Sequence, residues 1–223
     1  WSVGVTTSPR KPATLERSVS SLMRAGFLPI LCAEPGTEIP DSLQDCPRVM
    51  RAERLGAFGN WIQTAQDLLD NAPGADTILI AQDDVLFSPD LRRFLEHDLW
   101  PAPDCGVVSL YSPHKAGYED DGPTGVRPVR SRWLIGACAY VFPRNVLESV
   151  LSLPMTREWR GRARGTAVTE VDRKAIDTCV GHALQELNRS AWYYNPSLAQ
   201  HVSPVSTLGH GGANGMCRSA KFQ

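Results

Sequence analysis

The sequence predicts an α/β fold, one open and mostly parallel sheet flanked by helices. Three observations carry this expectation. Strand-like and helix-like stretches alternate through the first half of the chain, the pattern of successive βαβ units. Thr77-Ile78-Leu79-Ile80-Ala81 is a continuous apolar run, which suits a parallel strand covered on both faces. The 223 residues, 42% hydrophobic and 21% charged, supply one well-packed domain and leave little room for a second.

Ser2 to Thr7 is a short β-rich run that ends in a turn at Ser8-Pro9-Arg10. Leu15, Val19, Leu22 and Met23 then recur at helical spacing, and Gly26 supplies the stop. Leu28 to Cys32 reads as a buried strand and Arg48 to Met50 as a short one. Phe58 to Leu69 is an amphipathic helix with Trp61, Ile62, Ala65, Leu68 and Leu69 on one face. After the apolar 77–81 strand, Pro89 to Leu99 reads as a helix with Ser88 as cap and Pro89 at its first position. Gly106 to Tyr111 is the next strand, and 112–130 is a Gly/Pro/Asp-rich loop of the length that often carries function. Trp133 to Phe142 is apolar and packs against the sheet; Pro143 to Leu153 and Asp172 to Asn188 are helices; Ala191 to Tyr194 is a strand. Residues from Gly209 form a Gly-rich tail.

A formal net charge of -1 gives no global pull toward nucleic acid or an anionic membrane. No apolar run approaches the roughly 20 residues that span a bilayer, and no secretory leader pattern opens the chain. The six cysteines contain no C-x-x-C pair, which argues against structural zinc. Cys32, Cys105 and Cys138 lie in apolar stretches and read as small core residues. The expectation is a reducing, cytoplasmic setting.

The apolar 77–81 run ends abruptly in Gln82-Asp83-Asp84. In open α/β sheets, ligands bind at the carboxyl ends of strands. Two adjacent carboxylates there are costly unless a positive partner meets them. A lone Asp-Asp is more often a solvated turn. At the end of a buried strand a divalent cation is the natural partner, because Mg²⁺ and Mn²⁺ favour oxygen ligands and are commonly shared with substrate phosphates. Adjacent turn residues diverge, so we expect Asp84 to ligate the metal and Asp83 or Gln82 to contact the ribose or sugar of a nucleotide-sugar donor.

These positions resemble GT-A glycosyltransferases. The Thr6-Thr7-Ser8-Pro9-Arg10 turn looks like their nucleotide-binding entry, and Gln82-Asp83-Asp84-Val85 resembles their DxD or EDD motif with Gln at the first position. Pro196-Ser197-Leu198-Ala199-Gln200-His201-Val202, followed by Ser206-Thr207-Leu208, is similar to a segment of the branching N-acetylglucosaminyltransferases of the GnT-IV type, with Ser203 for Gly and Thr207 for Ser. The resemblance implies a Rossmann-like GT-A domain, a UDP-sugar donor, Mn²⁺ or Mg²⁺, and donor contacts at Thr6 and Thr7. It divides the chain into a nucleotide-sugar half (1–111), an acceptor half (112–208) and a tail (209–223).

Further candidates fit this reading. His201 returns from far along the sequence to join the metal or the diphosphate, as a neutral imidazole can; the plainer account is a hydrogen-bonded histidine at a strand end. Asp177 has apolar Val180 and Leu184 at helical spacing, which turns it toward a cleft. There it can act as general base on an acceptor hydroxyl, or simply favour a helix start. Glu170 and Asp172 are its rivals. Arg10 suits an anionic nucleotide through its rigid donor fork. Gly56, Gly59 and Asn60 open a helix, where exposed amides favour a phosphate or sugar edge. Trp133 can stack on a sugar, although a core tryptophan is the commoner outcome. Arg157, Arg160, Arg162 and Arg164 form a basic stretch able to meet a diphosphate or a polyanionic acceptor such as DNA carrying a modified base; a solvated loop is the simpler account.

The expected activity is metal-dependent transfer of a sugar to an acceptor hydroxyl, on a glycan or another hydroxyl compound, with inversion. Two alternatives stay open. One is a catalytically silent sugar- or nucleotide-binding module, suggested by Gln82. The other is a nucleotidyltransferase, although its Gly-rich basic turn is missing after the first strand.

Overall fold

The computed structural model describes residues 1–112, 124–158 and 175–202. Along the chain run β1 (Ser2–Thr7), α1 (Leu15–Arg24), β2 (Ile30–Ala33), β3 (Arg48–Met50), α2 (Gly56–Asn71), β4 (Thr77–Gln82), β5 (Val85–Phe87), α3 (Leu91–Asp98) and β6 (Cys105–Ser109). Then follow β7 (Gly125–Val129), β8 (Ala139–Pro143), α4 (Arg144–Ser152), α5 (Pro154–Arg157), α6 (Ile176–Glu186), β9 (Ser190–Asn195) and β10 (Ala199–His201). Eight strands make one sheet in the order β3-β2-β1-β4-β8-β6-β9-β7, while β5 and β10 form a small antiparallel pair.

The first four strands of that order are all parallel. β8 is antiparallel to both β4 and β6, β9 is parallel to β6, and β7 closes the edge antiparallel. The sheet is therefore mostly parallel, as the alternating pattern predicts. Its apolar runs face two separate cores. Val3, Val5, Leu79, Ala81 and Val141 pack with α1 on one face. Ile78, Ile80, Tyr140 and Phe142 pack with Trp61 and Leu68 of α2 and Leu184 of α6 on the other. Each buried Val, Leu, Ile or Phe among them contributes about 1.5–3 kcal/mol.

Several expectations change. The second strand begins at Ile30, and Leu28 is exposed. Helix α3 is not capped by Ser88. It starts at Leu91 after Asp90 in the left-handed region (φ 55°), and the Ser88 hydroxyl donates instead to the Leu198 carbonyl at 3.3 Å. The expected 112–130 loop contains β7, whose Pro128 is tolerated because β7 is a sheet edge. Residues 113–123 of that loop lie outside the described residues, as do the 159–174 stretch with Glu170, Asp172, Arg160, Arg162 and Arg164, and everything from 203, with Ser206, Thr207 and the Gly-rich tail. Within the predicted 133–142 apolar segment, only Ala139–Pro143 forms the strand; Ser131–Trp133 is a 3₁₀ turn. Among the described residues no helix is long and apolar enough to cross a membrane. The described cysteines, Cys32, Cys105 and Cys138 among them, are buried thiols.

Candidate functional site

The strand order reverses between β1 and β4, because β1 continues outward to β2 and β3 while β4 leads the other way. Crevices at such switch points are where open α/β sheets bind ligands. Thr6 pairs with Gln82 across this junction, and Asp83 donates its amide to the Thr6 carbonyl at 3.2 Å. The acidic pair therefore stands directly above the switch point. It is not solvated: Asp83 is 1% and Asp84 5% exposed.

What brings partners to the pair is the small second sheet. β5 leaves the Asp83-Asp84 turn and pairs with β10, placing His201 opposite Val85, and the Val202 amide donates to the Asp84 carbonyl at 2.9 Å. His201 Nε2 consequently lies 3.2 Å from Asp84 Oδ2. From the other side, the segment between β1 and α1 delivers Arg10. Its guanidinium meets Asp83 Oδ1 at 2.7 Å and Asp84 Oδ2 at 2.5 Å. The Thr7 hydroxyl donates to Asp83 Oδ2 at 2.5 Å.

The two carboxyls respond oppositely to this setting. Burial pushes Asp83 up to about 6; Arg10 and the Thr7 hydroxyl pull against the rise, and the Asp84 charge adds to it. Burial acts on Asp84 in the same sense, but the hydrogen bond and charge of His201, together with Arg10, outweigh it and hold this carboxyl below the usual carboxylate range. The difference follows from His201 reaching only Asp84. Leaving one charge of such a buried set without its partner costs about 3–5 kcal/mol.

A divalent cation fits part of this donor set. Octahedral ions with bonds of about 2.1 Å place neighbouring ligands about 3.0 Å apart, close to the Asp84–His201 separation. Asp84 Oδ1 is buried without a hydrogen-bond partner, which leaves lone pairs for a cation. Among the described residues no cluster of three metal-ligating side chains occurs, so other ligands would come from a substrate's oxygens, the usual situation for Mg²⁺.

Not every expected donor contact faces the crevice. Asn60 is buried, and its amide donates to the carbonyls of Cys32 (3.0 Å) and Thr7 (3.4 Å) while Arg51 Nε donates to its oxygen at 2.9 Å. Asn60 thus ties the ends of β1 and β2 together, and both donors of its amide are used there. Thr7 is likewise buried and serves Asp83. The Thr6 hydroxyl donates to Ala81 across the strand pair at 3.3 Å, and Thr6 and Gln82 remain half-buried.

Asp177 lies in the first turn of α6, half-buried, and its Oδ2 accepts the Gly136 amide at 2.8 Å. Gly136 (φ 78°) packs against the Tyr111 ring so closely that an added Cβ would stand 2.8 Å from it. The Tyr111 ring lies 6.5 Å from that of His201. Asp177 is therefore linked through Gly136 and Tyr111 to the acidic pair. Beside it, Trp133 is 58% exposed, contrary to the core placement expected; Leu134 takes the inward position instead.

The sequence reading missed Tyr111 and Glu34. Glu34 follows β2 and is 2% exposed; it accepts the Leu55 amide through Oε1 at 3.0 Å, while Oε2 has no hydrogen-bond partner. The Glu34 amide donates to the Thr7 carbonyl at 3.0 Å, which sets this buried acid at the carboxyl end of β1. Its polar, Pro-containing sequence context read only as loop.

No family model matches this chain, and no curated protein matches it by sequence. Among solved structures the chain is similar to the mannosyltransferase PcManGT from Pyrobaculum calidifontis, determined in complex with GDP-Man and Mn²⁺. The identity is 14%, the TM-score 0.56, and the match covers 93% of this chain and 58% of that one. The likeness is one of fold: a mixed α/β, mostly parallel eight-stranded sheet flanked by helices, similar to that of a GT-A glycosyltransferase. The chain spans 58% of the mannosyltransferase's length. Weaker likenesses are to A197 from STIV (12% identity, TM-score 0.45, 91% of this chain and 86% of that one) and to HddC from Yersinia pseudotuberculosis (14%, 0.41, 70% and 81%).

Proposed function

We propose that the chain transfers a sugar from a nucleoside-diphosphate sugar to an acceptor hydroxyl. One observation carries this reading: Arg10, Asp83, Asp84 and His201 converge at the switch point of a GT-A-like sheet. The donor's diphosphate lies over Asp84 and His201, and Glu34 accepts a hydrogen bond from its ribose or base. A divalent cation bound at Asp84 and His201 would offset the charge that develops on the departing diphosphate.

Asp177 supplies the base. As the acceptor oxygen bonds to the anomeric carbon, its proton passes to the Asp177 carboxylate. The anomeric carbon–phosphate oxygen bond breaks, its electron pair leaves with the diphosphate, and the configuration inverts. Two of Asp177's lone-pair positions are taken by the amides of Gly136 and Thr178, which fix the carboxylate while leaving others open. Exposed Trp133 offers an apolar ring face to the acceptor.

The likeness of Pro196–Val202 to the branching N-acetylglucosaminyltransferases supports a UDP-linked donor. The bound ligand of the mannosyltransferase neighbour supports a GDP-linked one. Thermal shift with UDP- and GDP-sugars, with and without Mn²⁺, names the donor, since a ligand raises the melting temperature by mass action. Slow donor hydrolysis giving the nucleoside diphosphate is the expected turnover. Pyrophosphate release from a nucleoside triphosphate would instead mean nucleotidyl transfer, and donor binding with no hydrolysis or transfer would mean a silent binding module. Asp84→Ala should abolish the Mn²⁺-dependent shift; an unaltered shift removes Asp84 from the site.

A further inference from the structure

Arg10 straddles the two carboxylates instead of pairing with one. Its terminal nitrogens take different aspartates, and its Nε is buried without a partner. The contact to Asp83 Oδ1 is an ion pair without hydrogen-bond alignment. Guanidinium–carboxylate pairs are strongest as two parallel bonds to one carboxylate, so this arrangement leaves part of the fork unused. Asp84 Oδ1 and His201 Nδ1 also lack hydrogen-bond partners. Unpaired buried polar atoms are rare in settled networks, and here each of three residues in one contact cluster carries one. The oxygen Arg10 takes, Asp84 Oδ2, is the same one that lies 3.2 Å from His201 Nε2. That spacing suits two ligands of one divalent ion. An ion that takes His201 Nε2 together with Asp84 Oδ2 would contend with Arg10 for that oxygen, with the unpartnered Oδ1 as its further donor.

The anchoring of the partners is unequal. The aspartates stand on a turn clamped between β4 and β5, whereas Arg10 lies on the segment between β1 and α1, outside regular structure. Arg10 is thus the member of the cluster whose backbone no strand pairing holds.

We propose that Arg10 is an exchangeable counter-ion, which neutralises the Asp83–Asp84 pair until a divalent cation takes Asp84 and then turns its guanidinium to the donor's diphosphate. The second half rests on the reading that the donor carries a diphosphate. The guanidinium's five donors suit two neighbouring anionic oxygens better than they suit two divergent carboxylates. Metal and nucleoside diphosphate then bind cooperatively, because the metal frees the arginine that the diphosphate uses and the diphosphate keeps that arginine off the metal's ligand.

The test is calorimetric. Mn²⁺ is titrated into wild type and Arg10→Gln without nucleotide, and UDP or GDP is then titrated with Mn²⁺ saturating. Arg10→Gln should bind Mn²⁺ alone about tenfold more tightly than wild type and the nucleoside diphosphate about tenfold more weakly. Equal or weaker Mn²⁺ binding by the variant overturns the exchange, and undiminished diphosphate affinity overturns the transfer of Arg10 to phosphate. If Arg10→Gln does not fold, Arg10→Lys keeps the charge without the fork and should move both affinities in the same directions by about threefold; no movement rejects the proposal. As a further readout, Mn²⁺ should raise the variant's melting temperature more than the wild type's, and adding Asp84→Asn should erase that gain. A wild type that binds Mn²⁺ but neither UDP nor GDP counts against the donor reading, while the Mn²⁺ titrations alone decide the exchange.

Discussion

Asp84 Oδ2 lies 3.2 Å from His201 Nε2 because β10 pairs with the strand that leaves the acidic turn. The pairing is made by backbone, with the Val202 amide bonded to the Asp84 carbonyl, so the imidazole can be removed without dismantling the strand. His201→Ala should weaken Mn²⁺-dependent nucleotide binding about tenfold or more, the worth of one hydrogen bond to a charged group (about 1.5–3 kcal/mol). Calorimetry with and without Mn²⁺ checks this. Equal affinities would return His201 to the role of a strand-end histidine.

Asp83 makes stability depend on pH. Its carboxyl titrates at about 6 in the fold against 3.8 ordinarily, so between about pH 4 and pH 6 the folded chain keeps a proton that the unfolded chain has released. The sign is destabilising as pH rises through that window, by up to about 3 kcal/mol in all, and flat above it. Asp84 works the other way, losing stability only as pH falls below the usual carboxylate range. Asp83→Asn mimics the protonated acid and isolates the first effect. Urea unfolding of both proteins should show the wild type losing ground to the variant between about pH 4 and pH 6, and a pH-independent difference refutes the assignment.

Gly181 tests the packing that carries Asp177. An added Cβ there would stand 2.2 Å from the Ser131 carbonyl oxygen, and Ser131 is itself held by its hydroxyl's bond to Arg189 O at 2.9 Å. Neither side can give way cheaply. Gly181→Ala should cost about 1–3 kcal/mol or more, a fall in Tm of roughly 2–12 °C for a chain of this size. Gly74→Ala, which meets nothing within 4 Å, is the control. Nucleotide affinity should hold in both, since Arg10, Asp84 and His201 stand on other elements.

The sheet was legible because its signals are local. The apolar Thr77–Ala81 run and the helical spacing of Leu15, Val19 and Leu22 need no knowledge of their neighbours, and the acidic strand end follows directly from them. Arg10 and His201 were legible as residue types in suggestive segments, but not as partners of one oxygen, because β10 finds β5 only through tertiary pairing. The same limit explains the misreadings. Thr7 and Asn60 stand at the right strand and helix ends, yet their side chains are spent on Asp83 and on the carbonyls of Thr7 and Cys32. Ser88 is an apt cap by sequence, and competition from Leu198 O takes it away. Glu34 and Trp133 show the converse: burial of an acid in a loop and exposure of an aromatic near a strand leave no trace in local pattern.

Asp177 separates chemistry from binding. Its oxygens accept the amides of Gly136 (2.8 Å) and of its neighbour Thr178 (2.8 Å). An asparagine can keep one of these bonds through its oxygen but cannot take a proton. Asp177→Asn should therefore retain the fold, the Mn²⁺ requirement and nucleotide affinity. Transfer to acceptor should fall about 10²–10⁴-fold, the usual contribution of a positioned general base. Loss confined to kcat is the signature of an interaction made only in the transition state. Trp133→Ala should do the reverse, raising the acceptor KM with kcat nearly intact, because stacking on a ring face is uniform binding. A variant Asp177→Asn that transfers at near-normal rate would move the base to another residue, and one that loses donor affinity would make Asp177 a brace for the Gly136 turn.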